Sequence, residues 1–410
     1  MHVRFAPYLF CCFILNSLLF SCQPDGPLIG APEITDPGNP IDGGDPDDPA
    51  VSAVEATFAG RINLDDPLNY GSQTVPNYIR RDNTRDNPIQ DAQATLGRVL
   101  FYDPALSVNR TIACASCHQQ SLAFGDDAIA STGVAGTTGR HSMRLINARF
   151  SDEERFFWDE RANTLEMQTT MPIQDHIEMG FSGENGDPSL DDLLDRLNGT
   201  DYYQELFAAA FGSAEVTEPR MQEALAQFIR SIQSFDTKYD AGRAQVANDN
   251  TPFPNFTALE NQGKQLFMGR PQFAQGGNRV GGGLGCNACH QAPEFSIDQR
   301  SRNNGVIGAL TGDGFDLNVT RSPSLRDVFL PDGRDNGPFM HTGAFATVNA
   351  VLSHYNEIPD VNQNLDGRLR PGGSLQRLNL TAQEREAVIA FLRTLTSNEV
   401  YTDERWSDPF

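Results

Sequence analysis

Apolar residues recur at helical rather than strand spacing along most of this chain. From Asp91, the residues Leu96, Val99 and Leu100 fall on one face. Behind Thr217, a suitable N-cap, Met221, Ala224, Leu225, Phe228, Ile229, Ile232 and Phe235 trace a longer stripe. Thr257 and Glu260 stand three apart ahead of Leu266 and Phe267. Thr381 and Glu384 repeat that spacing ahead of Val388, Ile389, Phe391, Leu392 and Leu395. Both pairs are capping boxes, in which each side chain closes a free backbone amide of the first turn. Thr347 opens a shorter stripe through Val348, Val351, Leu352 and Tyr355. No stretch alternates convincingly, so no strand is predicted, and segments 124–139 and 276–285 read as polar loops. The expected fold is mostly α.

The helical pattern fails at the N-terminal end. Arg4 precedes an apolar run over 7–20, broken by Asn16 and Ser17. That length suits a signal-peptide core and is short for a bilayer span. The run closes on Leu19-Phe20-Ser21-Cys22, which resembles the cleavage site of bacterial lipoproteins. Removal of residues 1–21 would leave a lipidated Cys22 as the membrane anchor of a periplasm-facing protein. Residues 22–56 are rich in Pro, Gly and Asp and read as a disordered tether, because such a stretch buries too little surface to fold. Between Gln23 and Gly60 there are eight acidic residues and no Lys or Arg; setting these eight aside leaves about −15 of the chain's −23 on the body. That charge disfavours nucleic acid and suits a basic electron-donor protein. Segment 247–255 is the best internal boundary, giving domains 57–250 and 251–410.

Cysteine placement brings in the chemistry. Of seven cysteines, two lie in the leader, one is Cys22, and four form two copies of one pattern: Cys114-Ala-Ser-Cys117-His118 and Cys286-Asn-Ala-Cys289-His290. C-x-x-C-H is the attachment site of a c-type haem: two thiols add across the vinyl groups and the histidine faces the iron. Zinc would need further Cys or His ligands close to each pair, and none is present. Two copies imply two c-type cytochrome domains packed together, each with one covalently bound haem. No cysteine pair remains for a disulfide.

A haem held by one histidine has a further axial position, which decides between electron transfer and reaction with small oxidants. In the second half the candidates are Met340, His341, His354 and Tyr355. His354 projects about 100° from Tyr355, so Tyr355 shares the inward face and is either a ligand or a core tyrosine. In the first half His141, Met143, Met167, Met171, His176 and Met179 are available, and spacing singles out none. Pro172 should end the helix carrying Gln168. Glu178 then falls in a loop with apolar neighbours, where a carboxyl can keep a raised pKa.

With these residues in view, 85–400 resembles the bacterial dihaem cytochrome c peroxidases and their MauG-type relatives. The matching stretches are Leu96-Gly-Arg-Val-Leu-Phe-Tyr-Asp103, Phe157-Trp158-Asp-Glu-Arg-Ala162, the spacing of Gln168, Pro172 and Glu178, then Arg321-Ser-Pro-Ser-Leu-Arg326, Pro338-Phe-Met-His-Thr-Gly343 and Tyr355. The resemblance implies an oxidoreductase reducing hydrogen peroxide at the His118 haem. Glu178 would act as acid–base, Gln168 would hydrogen-bond in the pocket, and Trp158 would relay electrons from the His290 haem. Tyr355 occupies the axial-ligand position that is Met in the peroxidases and Tyr in the MauG type. It therefore also implies a second reading, oxidation of Trp or Tyr on a partner protein; a non-enzymatic electron carrier is a third. The family's distal histidine is absent near 133–139, and His141 stands where the family commonly has an Asn that helps bind calcium between the haems. His341 is expected to pack near the second haem. The resemblance leaves room for calcium, through carbonyls near Arg321 and Pro323, and for a homodimer.

Overall fold

The computed structural model describes residues 51–151, 155–297, 300–311, 314–359 and 362–410. The leader, Cys22 and nearly all of the tether therefore lie outside the described residues. The last tether residues, 53–56, are instead helical, in α1 (Ala53–Phe58). The Glu205 carboxylate accepts the amides of Ala53 and Val54, at 2.8 and 3.1 Å. A carboxylate there satisfies free N–H groups and opposes the positive end of the helix. Val54 and Phe58 are buried. Composition missed this turn because its partner is 150 residues away.

The remaining helices follow in order: α2 (Asp91–Tyr102), α3 (Cys114–Cys117), α4 (Leu165–Thr170), α5 (Leu190–Asn198), α6 (Asp201–Phe211), α7 (Glu218–Ser231), α8 (Lys238–Arg243), α9 (Ala258–Met268), α10 (Val348–Asn356) and α11 (Ala382–Arg393). The two expected capping boxes, Thr257 with Glu260 and Thr381 with Glu384, are formed. The Thr217 stripe ends sooner than its periodicity suggests: Ile232 is already the C-cap of α7, and Phe235 lies beyond it. Strand structure is present despite the lack of alternation. Strands β1 (Pro271–Phe273) and β2 (Arg279–Gly282) pair antiparallel, as do β3 (His290–Gln291) and β4 (Ser296–Ile297). Segment 276–285 is thus partly a hairpin. Its second strand, Arg-Val-Gly-Gly, has too few side chains to alternate and is held by backbone bonds.

The two halves repeat one packing solution. Gly97 of α2 lies against α7 so closely that an added Cβ would stand 2.0 Å from the Ala224 carbonyl oxygen and 2.8 Å from Phe228 Cβ. Gly263 of α9 lies the same way on α11, 1.9 Å from the Ala387 oxygen and 2.8 Å from Phe391 Cβ. In both halves the helix preceding the Cys-x-x-Cys-His pattern crosses a later helix at Gly over Ala, one turn before a buried Phe. Backbone cannot rotate away as a side chain can, so a methyl there must push the helices apart. Gly97→Ala and Gly263→Ala should each cost about 1–3 kcal/mol. A urea midpoint unchanged from wild type would show that the helices do not meet there.

Buried apolar residues form two clusters. One runs from Val54 to Ile232 and is completed by Val400 and Trp406; the other runs from Tyr239 to Leu395. The changeover thus falls between Ile232 and Tyr239, ahead of 247–255, and the C-terminal tail returns to the first cluster. Arg98 donates to the Ser407 carbonyl at 2.6 Å and Tyr102 to the Trp406 carbonyl at 2.5 Å. At the changeover, Arg326 is fully buried and forks onto Asp240, at 2.7 and 2.8 Å. It also donates to the carbonyls of Ser234 and Pro293, and Tyr78 donates to Asp240 at 2.7 Å.

Candidate functional site

The residues after Ala113 form the single turn α3, which places Cys114, Cys117 and His118 on one wall of a cavity of about 620 Å³. Gln168, Pro172 and Glu178 line the same cavity, with Trp158, His141, Met143 and Arg161. The expected first-half site is therefore assembled from segments sixty residues apart. Thr164 caps α4, which carries Gln168, and the helix stops just before Pro172, as expected. The chain then turns back, and the Glu178 amide donates to Asp175 Oδ1 at 3.0 Å.

Hairpin 131–138 clasps that turn. Val134 N donates to the Glu178 carbonyl at 3.1 Å, and Ala135 N to that of Ile177 at 3.2 Å. The hairpin is itself anchored by Ser131, which donates to buried Asp126 and lies 2.8 Å from Ser142 Oγ. Burial, with the nearby Asp175 charge, pushes the Glu178 carboxyl up to about 7, against which Arg161 acts weakly. A carboxyl poised near neutrality can both take and return a proton.

Each motif histidine is oriented through one ring nitrogen. His118 Nδ1 lies 3.1 Å from the Phe124 carbonyl oxygen, and His290 Nδ1 lies 3.0 Å from that of Pro323. The tautomer with its proton on Nδ1 donates there and leaves Nε2 as a lone pair. Burial lowers the pKa of both rings, that of His290 to about 4, so each is neutral at pH 7. Burial also holds the Cys114 and Cys286 thiols up at about 12 and Cys117 at about 11. Thiols held so far from ionisation are poor zinc ligands and poor redox nucleophiles. Four cysteines in no disulfide, beside two ligand-ready histidines, fit two covalently attached haems.

In the second half, Tyr355 sits on α10, which is capped by Thr347 as expected. Its phenol lies close enough to feel both Cys286 and Cys289, and burial raises its pKa. The rival histidines are engaged elsewhere. His354 Nε2 is 2.9 Å from the Asn304 carbonyl oxygen and His341 Nε2 is 3.0 Å from that of Gly308. Asn304, which no sequence signal marked, reaches the Tyr355 oxygen at 3.2 Å. Its neighbour Gly305, at φ +94°, is the trace of that turn in the sequence.

Trp158 stands between the halves. Its indole N–H donates to the His141 carbonyl at 2.7 Å, and its own carbonyl accepts from the amides of Thr320 and Arg321, at 3.1 and 3.2 Å. His141 N in turn donates to the His341 carbonyl at 2.7 Å, and the Trp158 and His341 rings are 6.1 Å apart. His341 is thus a link between the halves. His141 lines the cavity but its Nδ1 lies 2.9 Å from the Ala128 carbonyl oxygen. His176 faces outward, 2.7 Å from Asp187, and is not a pocket residue. Among the described residues no group of three His, Cys, Asp or Glu could hold a metal ion. The Pro323 carbonyl, one expected contributor to calcium, accepts from His290.

The family model for dihaem cytochrome c peroxidase matches residues 91–248. Methylamine utilization protein MauG of Methylorubrum extorquens is 30% identical, over 75% of this chain and 79% of its own length. A cytochrome-c peroxidase of Denitromonas iodatirespirans is 28% identical, over 77% of this chain and 84% of its own. The crystal structure of a MauG-like protein associated with microbial copper homeostasis superposes with a TM-score of 0.63, at 29% identity, over 82% of this chain and 99% of that one.

Proposed function

Because the chain belongs to the dihaem cytochrome c peroxidase and MauG family, we propose that it reduces hydrogen peroxide at the His118 cavity with electrons supplied through the His290 side. The observation that carries this reading is the meeting of His118, Gln168 and Glu178 in one cavity. Cys114, Cys117 and His118 would hold one haem; Cys286, Cys289, His290 and Tyr355 the other. When bound, the haems supply the site for the oxidant and the store of electrons.

Glu178 supplies the proton transfer. Its carboxylate takes the proton from one peroxide oxygen and returns it to the other, so that water leaves. Gln168, fixed on α4, offers an amide to orient the peroxide. The hairpin clasp at Val134 keeps the Glu178 backbone from drifting out of reach. Trp158, tied by hydrogen bonds to both halves, gives electrons a bonded route between them. Proton abstraction needs the ionised carboxyl, and the group is ionised above about 7. The kcat/KM for peroxide should therefore rise with pH through about 7, and Glu178→Gln should lack that limb. A wild-type profile flat from pH 5.5 to 8.5 would remove Glu178 as the base.

Tyr355 supports a second reading, in which the oxidising power is passed to a Trp or Tyr of a partner protein. An anionic phenolate donor favours high oxidation states more than a thioether does. Incubation with peroxide and the protein encoded by a neighbouring gene should then change that protein's mass; an unchanged mass opposes that partner. We also propose export and lipid anchoring at Cys22, on sequence alone. Cys22→Ser should move the protein to the soluble fraction, and retention at the membrane would oppose the anchor.

A further inference from the structure

The side-chain amide of Asn304 is shared by two groups able to bind iron. Its Nδ2 lies 3.2 Å from the Tyr355 phenol oxygen and 3.2 Å from the Met340 thioether sulfur. Oxygen and sulfur thus lie within the reach of one amide, and the Tyr355 phenol is close enough to feel the Cys286 and Cys289 thiols. Asn304 is not free to wander. Its own carbonyl faces His354, its Oδ1 accepts from Val306 N at 3.1 Å, and buried Asn303 fixes the turn through the carbonyls of Val306 and Val319.

Met340 is also held in an uncommon way. Its φ is +70°, the left-handed region that costs a residue with a Cβ about 1–2 kcal/mol. The loop keeps it there through Gly343 N to the Met340 carbonyl, 3.0 Å, and Phe339 N to the Phe345 carbonyl, 2.8 Å. The surrounding loop thus fixes the point from which the Met340 side chain projects.

We propose that Met340 is a second axial ligand for the haem held by Cys286, Cys289 and His290, replacing Tyr355 when that iron is reduced, with Asn304 setting the balance between them. The proposal rests on the dihaem reading above. Phenolate is a hard, anionic donor and favours the ferric ion; a thioether is soft and neutral and favours the ferrous one. In the exchange the electron-donor protein supplies one electron. Tyr355 gives up its bond to iron and its oxygen takes a proton from water, while a Met340 sulfur lone pair forms the new bond. Asn304 then donates to the released phenol. The one other product is the hydroxide that the water leaves in solvent.

Iron X-ray absorption on the wild-type protein tests this without substitution. Reduction should add an iron–sulfur scattering path absent from the ferric form; a reduced protein with none overturns the proposal. Carbon monoxide stoichiometry gives a second reading. Reduced wild type should bind one carbon monoxide per chain and Met340→Leu should approach two. An unchanged count of one in Met340→Leu argues equally against the exchange. Pyridine haemochrome analysis counts covalent haems in the same samples. Two haems per chain with no sulfur ligand would sink the exchange alone, whereas fewer than two would sink the dihaem reading beneath it.

Discussion

Glu178→Gln should lower peroxide turnover by about 10²–10⁴-fold, the range lost with a positioned acid–base group, while two covalent haems per chain remain. Glutamine keeps the shape and the backbone bonds to Asp175 and Val134 but cannot carry a proton to the departing oxygen. Loss of activity should not come with loss of stability. The folded state holds this carboxyl's proton until about pH 7, against 4.5 for an unburied one. A raised acid pKa means that ionisation costs folding free energy as pH rises from 4.5 through 7. Above pH 7 the amide should therefore be at least as stable as wild type, by thermal unfolding. Full turnover in Glu178→Gln would assign the proton transfer elsewhere.

Arg326→Met should destabilise the protein by about 3–5 kcal/mol, the cost of leaving one member of a buried ion pair alone. Arg326 is 0% exposed and its fork closes on Asp240, which also accepts from Tyr78. Removing the guanidinium leaves a buried carboxylate with only the neutral hydroxyls of Tyr78 and Thr237 as side-chain donors, and takes a donor from the carbonyls of Ser234 and Pro293. Because these partners lie in the changeover between the two cores, the loss should weaken both together. Adding Asp240→Leu should recover part of the loss, since a neutral pair removes the stranded charge. A urea midpoint within experimental error of wild type would show that water reaches the pair.

Much of the candidate site could be read from the chain. The capping boxes at Thr257 and Thr381 formed because their bonds are local, and Pro172 ended α4 for the same reason. Glu178 and Gln168 came from family spacing, and the structure brings them to His118. What escaped depends on distant partners. Helix α1 needs Glu205, and Trp406 needs the core formed by α2 and α7. Strands β1 to β4 are too short, and β2 too rich in glycine, to show alternation. Asn304 acts through one amide aimed by a turn, which periodicity cannot register. Segment 247–255 stands out as a boundary by its loop composition, whereas the changeover of buried clusters between Ile232 and Tyr239 is made by packing, which composition does not register.

If peroxide is reduced as proposed, the two motif sites must differ, one open beside Glu178 and one closed by Tyr355. Titrating the fully ferric protein with hydrogen peroxide, and following the spin state of each haem, tests it most directly. One high-spin haem that responds to a single equivalent, beside one low-spin haem that binds no peroxide of its own, is the predicted result. Two low-spin haems, both unchanged by peroxide, would contradict the account.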